Sequence, residues 1–231
     1  MKKEKFACDG SACTLCKLCL PEWLPAINAH KSVFSLKKGE VLFNEGDTVN
    51  GIYFVTKGKM KVHKQWGQEK ELIVRFAKEG DIVGHRGVGG SELVFPVSAT
   101  ALEPVVVCFI PLDFFIATLK VNTAFLYDLM MFYARELQAS ERKMRNMAHM
   151  PVKGRLAEAF LSLQEKFGID KNGFINLSLS KQDIAAYVGT TYETAFRMMN
   201  DFVAEEILLV EGKQYKILQE EPLKQLAYST H

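Results

Sequence analysis

Three groups of residues in this chain have types and spacings that can do chemistry. The densest is near the start, where Cys8, Cys13, Cys16 and Cys19 follow a C-x4-C-x2-C-x2-C spacing and make up four of the five cysteines. In a chain without a secretion signal, thiols at this density suit a metal better than disulfides. The C-x2-C-x2-C rhythm of Cys13, Cys16 and Cys19 suits an iron–sulfur loop, and four thiolates can equally hold tetrahedral zinc. The competing reading is a reactive tail. The second group is Thr191, Tyr192, Glu193, Phe196, Arg197 and Asn200, along the polar side of a short amphipathic segment. There an arginine can donate twice to guanine O6 and N7, and a glutamate can accept from cytosine N4. Phe196 is out of place on a polar face unless it meets a partner such as a thymine methyl. The third is Gly84 and the following His85-Arg86-Gly87-Val88-Gly89-Gly90, which can form an anion nest or run as a surface loop. No acid, base and nucleophile fall together as an enzyme needs, and the five histidines are scattered through the sequence.

The second group needs a scaffold, and its neighbours supply one. Ser180 can cap a helix with Asp183 answering three residues on. Ile184, Ala185 and Val188 share a face. Gly189 stands where a helix end wants positive φ. Thr190 or Thr191 can cap a second helix with Ala195, Met198, Met199 and Phe202 on one side. Helix, glycine turn, helix is a helix-turn-helix plan, in which the second helix enters the major groove. Leu208–Val210 and residues 215–218 then flank Glu211-Gly212-Lys213-Gln214 as a hairpin, with Lys213 at its tip as a candidate phosphate contact. Lys153 and Arg155, in the hinge that opens at Pro151, are two more. Leu223, Leu226 and Tyr228 suit a short closing helix.

Between Val33 and Pro111 the pattern is short strands punctuated by glycine, with Glu-Gly-Asp turns at 45–47 and 79–81. Many short strands with regular turns imply a small barrel or jelly roll. A long helix follows, capped at Asn122 and ended at Met150-Pro151. Along it Leu126, Met130, Tyr133, Leu137, Ser140, Met144 and Met147 recur with alternating spacings of four and three, a coiled-coil seam that predicts a homodimer. At 1.5 Å per residue the helix runs roughly 40 Å.

A chain of 231 residues holds one or two domains with real cores. Its start, MKKEKFACDG, lacks the apolar segment of a signal peptide, and no apolar run is long enough to span a membrane. Cytoplasmic location is expected. The net charge is +2, but residues 151–231 carry nine basic and eleven acidic side chains, a net of −2. That balance runs against the usual footprint of a nucleic-acid-binding domain. Local clusters and dimerisation must then supply the affinity.

Gln182–Gly189 and Glu193-Thr194-Ala195-Phe196-Arg197 resemble the winged helix-turn-helix of the CRP/FNR transcription regulators. Residues 37–62, KKGEVLFNEGDTVNGIYFVTKGKMKV, resemble that family's cyclic-nucleotide-binding β-roll. The resemblance covers nearly all of the chain after residue 30, in the family's domain order. It implies an α+β fold: an N-terminal Cys-rich segment (1–30), a β-roll, jelly-roll-like sensor domain (31–121), a dimerisation helix (122–150) and a winged helix-turn-helix domain (151–231). The implied function is that of a homodimeric, sequence-specific regulator of transcription, with double-stranded DNA and RNA polymerase as partners and a small-molecule or redox signal. Glu193 and Arg197 occupy the positions that read a TGA-like half-site. The FNR branch holds an oxygen-labile 4Fe–4S cluster on three N-terminal cysteines, spaced C-x2-C-x5-C, and one in the sensor domain. Cys108 stands where that fourth cysteine is expected, although the N-terminal spacing differs and five cysteines exceed four places. Members that bind cyclic AMP use a Gly-Glu pair for the ribose and an Arg-Ser pair for the phosphate. Here Gly84 is followed by His85, and Phe95-Pro96-Val97-Ser98 lacks the arginine, so ordinary cyclic AMP binding is not expected; Arg86, Val97 and Ser98 remain effector-pocket candidates. A ligand-binding module with a protein partner and a vestigial helix-turn-helix, or an Fe–S or zinc redox-sensing metalloprotein, are the alternative functions.

Overall fold

The computed structural model describes residues 1–4, 13–67, 70–89 and 92–228, so Cys8, Lys5 and Gly90 lie outside the described residues. The chain forms two compact units, Met1–Lys64 with Val74–Gln138, and Gln65–Ile73 with Ala139–His231.

The first unit is built on two antiparallel sheets. One contains β1 (Lys2–Glu4), β2 (Ser32–Leu36), β4 (Gly51–Lys57), β7 (Ile82–Val83) and β9 (Val105–Pro111), in the order β1-β2-β9-β4-β7. The other contains β3 (Val41–Phe43), β5 (Met60–Trp66), β6 (Lys70–Ala77) and β8 (Ser98–Ala101), in the order β3-β8-β5-β6. Leu36, Val55, Val83, Val105 and Val107 from the first sheet meet Phe43, Met60, Val62, Ala99 and Ala101 from the second in one apolar core. This is the jelly-roll-like architecture expected from the strand pattern.

The first sheet is buried on both faces. Successive side chains of a strand point to opposite sides, so on β4 Val55 joins the core between the sheets while Ile52 and Phe54 join a second cluster behind it. On β9, Val105 and Val107 face the first core, and Cys108 and Ile110 face the second. The second cluster is closed by α1 (Thr14–Leu18), α2 (Leu24–His30), α3 (Leu112–Val121) and the start of α4 (Thr123–His149), through Leu15, Ile27, Phe115, Phe125 and Leu129. Both Glu-Gly-Asp turns share one device: Gly46 and Gly80 each take φ +88°, and the following Asp accepts an amide hydrogen bond from Asn44 (2.7 Å) and Lys78 (3.0 Å) respectively.

Residues Lys2–Glu4 form β1, paired with Val33–Ser35 of β2. One local expectation needs correction. The Asn122 side chain is turned away from α4, accepting from the Leu20 amide (2.7 Å) and donating to the Thr118 carbonyl (2.9 Å), which ties the N-terminal segment to the end of α3.

In the second unit α5 (Val152–Phe167), α6 (Lys181–Val188), α7 (Tyr192–Ala204) and α8 (Glu220–Tyr228) surround Leu156, Phe160, Ile184, Met199, Phe202 and Leu223. The strands β10 (Leu208–Glu211) and β11 (Gln214–Ile217) form an antiparallel hairpin. Gly154 is needed here because a Cβ would come within 2.9 Å of the Leu226 carbonyl, so only glycine lets α8 approach α5 so closely. Among the described residues no single helix is long and apolar enough to cross a membrane.

Candidate nucleic-acid interface and sensor core

The helix-turn-helix is fixed by its caps. The Ser180 hydroxyl accepts from the Asp183 amide (3.0 Å), and the Asp183 carboxylate accepts from the Ser180 amide (3.1 Å), a complete capping box. Gly189 ends α6 at φ +69° and ψ +53°, the left-handed region glycine enters without steric cost. Arg155 is half-buried, and its guanidinium donates to the Val188 (2.9 Å) and Gly189 (3.2 Å) carbonyls and so satisfies the end of α6. Thr191, rather than Thr190, caps α7 by accepting from Thr194, and this puts Thr194 rather than Glu193 at the third helical position. Glu193 therefore belongs to no capping box.

With Ala195, Met199 and Phe202 buried, the opposite side of α7 is left open. Thr191, Tyr192, Glu193, Arg197 and Asn200 are exposed there and Phe196 is half-buried. Among the described residues, the Glu193 and Arg197 side chains form neither hydrogen bond nor ion pair. The Tyr192 and Phe196 rings are stacked, with centroids 5.8 Å apart and planes only 4° from parallel, and the Lys181 ammonium lies 4.3 Å from the Phe196 centroid. Lys181 is a neighbour that sequence periodicity did not reveal, because it comes from the preceding helix. Lys213 is exposed in the two-residue turn of the hairpin. Lys153 is held 2.8 Å from Glu205, so a phosphate would have to compete with that carboxylate.

The effector-pocket candidates are divided among different partners. Gly84 takes φ +86°, and a Cβ there would press on Phe95 at 3.1 Å. Val97 lies in the core between the sheets, and the Ser98 hydroxyl accepts from the Glu45 amide (2.9 Å). His85–Gly87 is a 3₁₀ turn, not a surface loop, and His85 is only 2% exposed. Arg86 donates to the Glu136 carboxylate of α4 (2.8 Å), and Arg75 Nε lies 3.4 Å from the same carboxylate. The Tyr133 hydroxyl donates to the His85 carbonyl (2.7 Å), and the His85 ring packs edge-on against Phe132 and Tyr133. Neither ring nitrogen of His85 has a well-formed hydrogen bond. Burial first, then the Arg75 and Arg86 charges, hold its pKa down to about 2, with the Ile82 carbonyl opposing them. His85 is thus neutral in the folded protein. Arg75, Asp81 and Glu136 complete this ionic cluster and were not legible as partners, since Glu136 is 50 residues from Arg86.

The cysteines come together from distant parts of the chain. Cys13, Cys19 and Cys108 are buried in the cluster behind the first sheet, and the half-buried Cys16 packs against it. No disulfide joins these four. Burial first, then the neighbouring Cys13, raise the Cys19 thiol to about 11. A thiolate here needs a cation to compensate it. Four thiols are of the type and number that a 4Fe–4S cluster or tetrahedral zinc uses, and among the described residues no three Cys, His, Asp or Glu side chains are placed to hold a single ion.

Of the seam residues, Leu126, Met130, Tyr133, Leu137 and Met144 are exposed, from 36% for Tyr133 to 64% for Met144, and Ser140 is intermediate. Met147 departs from this stripe: it is half-buried, and its Cε lies 2.7 Å from where a Cβ on Gly189 would stand. It packs on the helix-turn-helix of its own chain.

Comparison with known proteins fits these features. The family model of a cyclic nucleotide-binding domain matches residues 33–122 and that of a Crp-like helix-turn-helix domain matches residues 154–226. The transcriptional activator protein Anr of Pseudomonas protegens is 31% identical over 215 residues, 89% of this chain and 87% of its own. The fumarate and nitrate reduction regulatory protein of Vibrio cholerae is 28% identical over 227 residues, covering 93% and 88%. In fold, FixK2 from Bradyrhizobium japonicum superposes with a TM-score of 0.76 at 22% identity over 87% of this chain and 99% of its own. A β-roll, a long helix and a capped helix-turn-helix with an open reading face, in that order, place this chain in the CRP/FNR family of DNA-binding transcription regulators.

Proposed function

We propose that the chain is a homodimeric activator of transcription whose DNA binding is governed by a 4Fe–4S cluster on Cys13, Cys16, Cys19 and Cys108. The observation that carries this is the shared cluster of Cys13, Cys19 and Cys108 with Phe125 and Leu129 of α4. When bound, such a cluster supplies an oxygen- and redox-responsive centre. The chain's own residues do the rest. Leu15 and Ile27, both fully buried, keep water from the thiols, and Cys19 must lose its proton for the group to load. Phe125 and Leu129 sit one helical turn apart on the face of α4 toward the thiols, while Leu126 and Met130 lie exposed. Repacking around the cysteines therefore moves the dimerisation stripe, and with it the separation of the two recognition helices.

On each half-site Arg197 donates to guanine and Glu193 accepts from cytosine, with Thr191, Tyr192 and Asn200 beside them. Lys213 contacts phosphate, and Lys153 joins it once Glu205 gives way. The activator name of the Pseudomonas relative supports a contact with RNA polymerase, and a reducing cytoplasm is the setting such thiols require. In this reading ordinary cyclic AMP is not the signal, in keeping with the pairing of Arg86 with Glu136 and of Ser98 with the Glu45 amide.

The test is anaerobic purification with iron, sulfide and zinc analysis, followed by titration of an enriched duplex before and after air. About four irons and four sulfides per chain, with DNA affinity changed by air, is the expected result. Zinc without sulfide, or affinity indifferent to air, would overturn the cluster assignment.

A further inference from the structure

We infer that the stacked Tyr192–Phe196 pair is a reader of the pyrimidine C5-methyl group, and that it sets a thymine requirement in each half-site. This rests on the DNA-reading role given above to Glu193 and Arg197.

The recognition helix carries two pairs at i,i+4 spacing, Tyr192 with Phe196 and Glu193 with Arg197. Each pair lies along one line of the helix surface, and the two lines are neighbours because their members are adjacent in sequence. Among the described residues, the polar pair forms no hydrogen bond or ion pair. The aromatic pair stacks into one apolar plate: the rings are 4° from parallel, and the Lys181 ammonium lies 4.3 Å from the Phe196 centroid. The Lys181 ammonium thus stands at the margin of the plate, where it suits the backbone of the same duplex. Tyr192 is 39% exposed at the N-terminal end of α7, the end that reaches base edges in this class of motif.

An apolar plate continuous with hydrogen-bonding side chains cannot read a donor or acceptor. Within the major groove the apolar feature that distinguishes base pairs is the thymine methyl, and a phenylalanine is suited to meet it. Cytosine, which offers a polar edge and no methyl, would leave the plate against water or against an unpaired amine. A 5-methylcytosine restores the methyl.

The test uses the full-length protein and a duplex enriched from a random pool. Each thymine in a half-site is replaced singly by deoxyuridine, which removes the methyl and keeps the pairing. One position is expected to lose about four-fold in affinity, the contribution of one buried methyl. At that position 5-methylcytosine should bind better than cytosine. The Phe196→Ser and Tyr192→Ala variants should bind thymine and deoxyuridine duplexes equally while keeping the preference for guanine that depends on Arg197. Wild-type protein that binds its duplex but tolerates deoxyuridine at every thymine overturns the inference and leaves the Glu193–Arg197 reading standing. Wild-type protein that enriches no sequence overturns both. Because the wild-type comparison alone decides the outcome, a variant that fails to fold does not blur it.

Discussion

Among the described residues Arg197 and Glu193 form no hydrogen bond or ion pair, and this supports the reading role proposed for them. An exposed guanidinium without a carboxylate partner is available for a base edge at no cost in broken ion pairs. Arg197→Ala should cost about 1–3 kcal/mol of specific binding and relax one position of the half-site; a titration with base-substituted duplexes checks this, and an unchanged preference would contradict it. His85 makes the opposite kind of prediction. Its folded pKa of about 2 lies below the ordinary value, so the unfolded chain binds the extra proton first. Its stability contribution is complete above about pH 6.5 and is lost as the pH falls toward the folded value. At pH 5 the loss is at most about 2 kcal/mol. Denaturant melts of the wild type and His85→Gln between pH 7.5 and 5 should diverge, with the wild type losing more. Glu193 and Arg197 were legible because their spacing is local. His85 was not, because its surroundings are set by Arg75, Glu136 and Phe132, which only the folded chain brings near.

The elements of the helix-turn-helix were legible to the residue, since a capping box and a glycine C-cap are local chemistry. Ser180→Ala should destabilise the second unit by about 1 kcal/mol through loss of the cap. Gly189→Ala should cost about 1–2 kcal/mol from the left-handed backbone, with the flexible Met147 tip able to move aside. Thermal melts measure both. The N-terminal segment was harder to read. Its cysteines suggested chemistry, but α1 and α2 are short and take their positions from contacts with β9, α3 and α4. Strand β1 was missed because Lys2–Glu4 has no apolar alternation and depends on its pairing with β2. Lys153 and Arg155 looked alike in sequence and differ in the fold: one pairs with Glu205, and the other closes α6.

At the scale of the whole molecule, an exposed stripe of Leu126, Met130, Tyr133, Leu137 and Met144 on one helix is a large apolar surface to leave in water. In the proposed dimer the same stripe of a second copy covers it, in keeping with the heptad spacing. Leu137→Glu would set two like charges facing each other in that seam, and sedimentation should show it as a monomer at concentrations where the wild type is dimeric. The acidic balance of residues 151–231 makes pairing more important, because one such domain gains little from a general attraction to phosphate. The most direct test is sedimentation velocity of the anaerobically isolated protein with a duplex carrying its enriched site. Two chains per duplex, with half-sites about 10 base pairs apart, is the predicted result. One chain per duplex on a single half-site, with affinity no lower than on the paired site, would contradict the account.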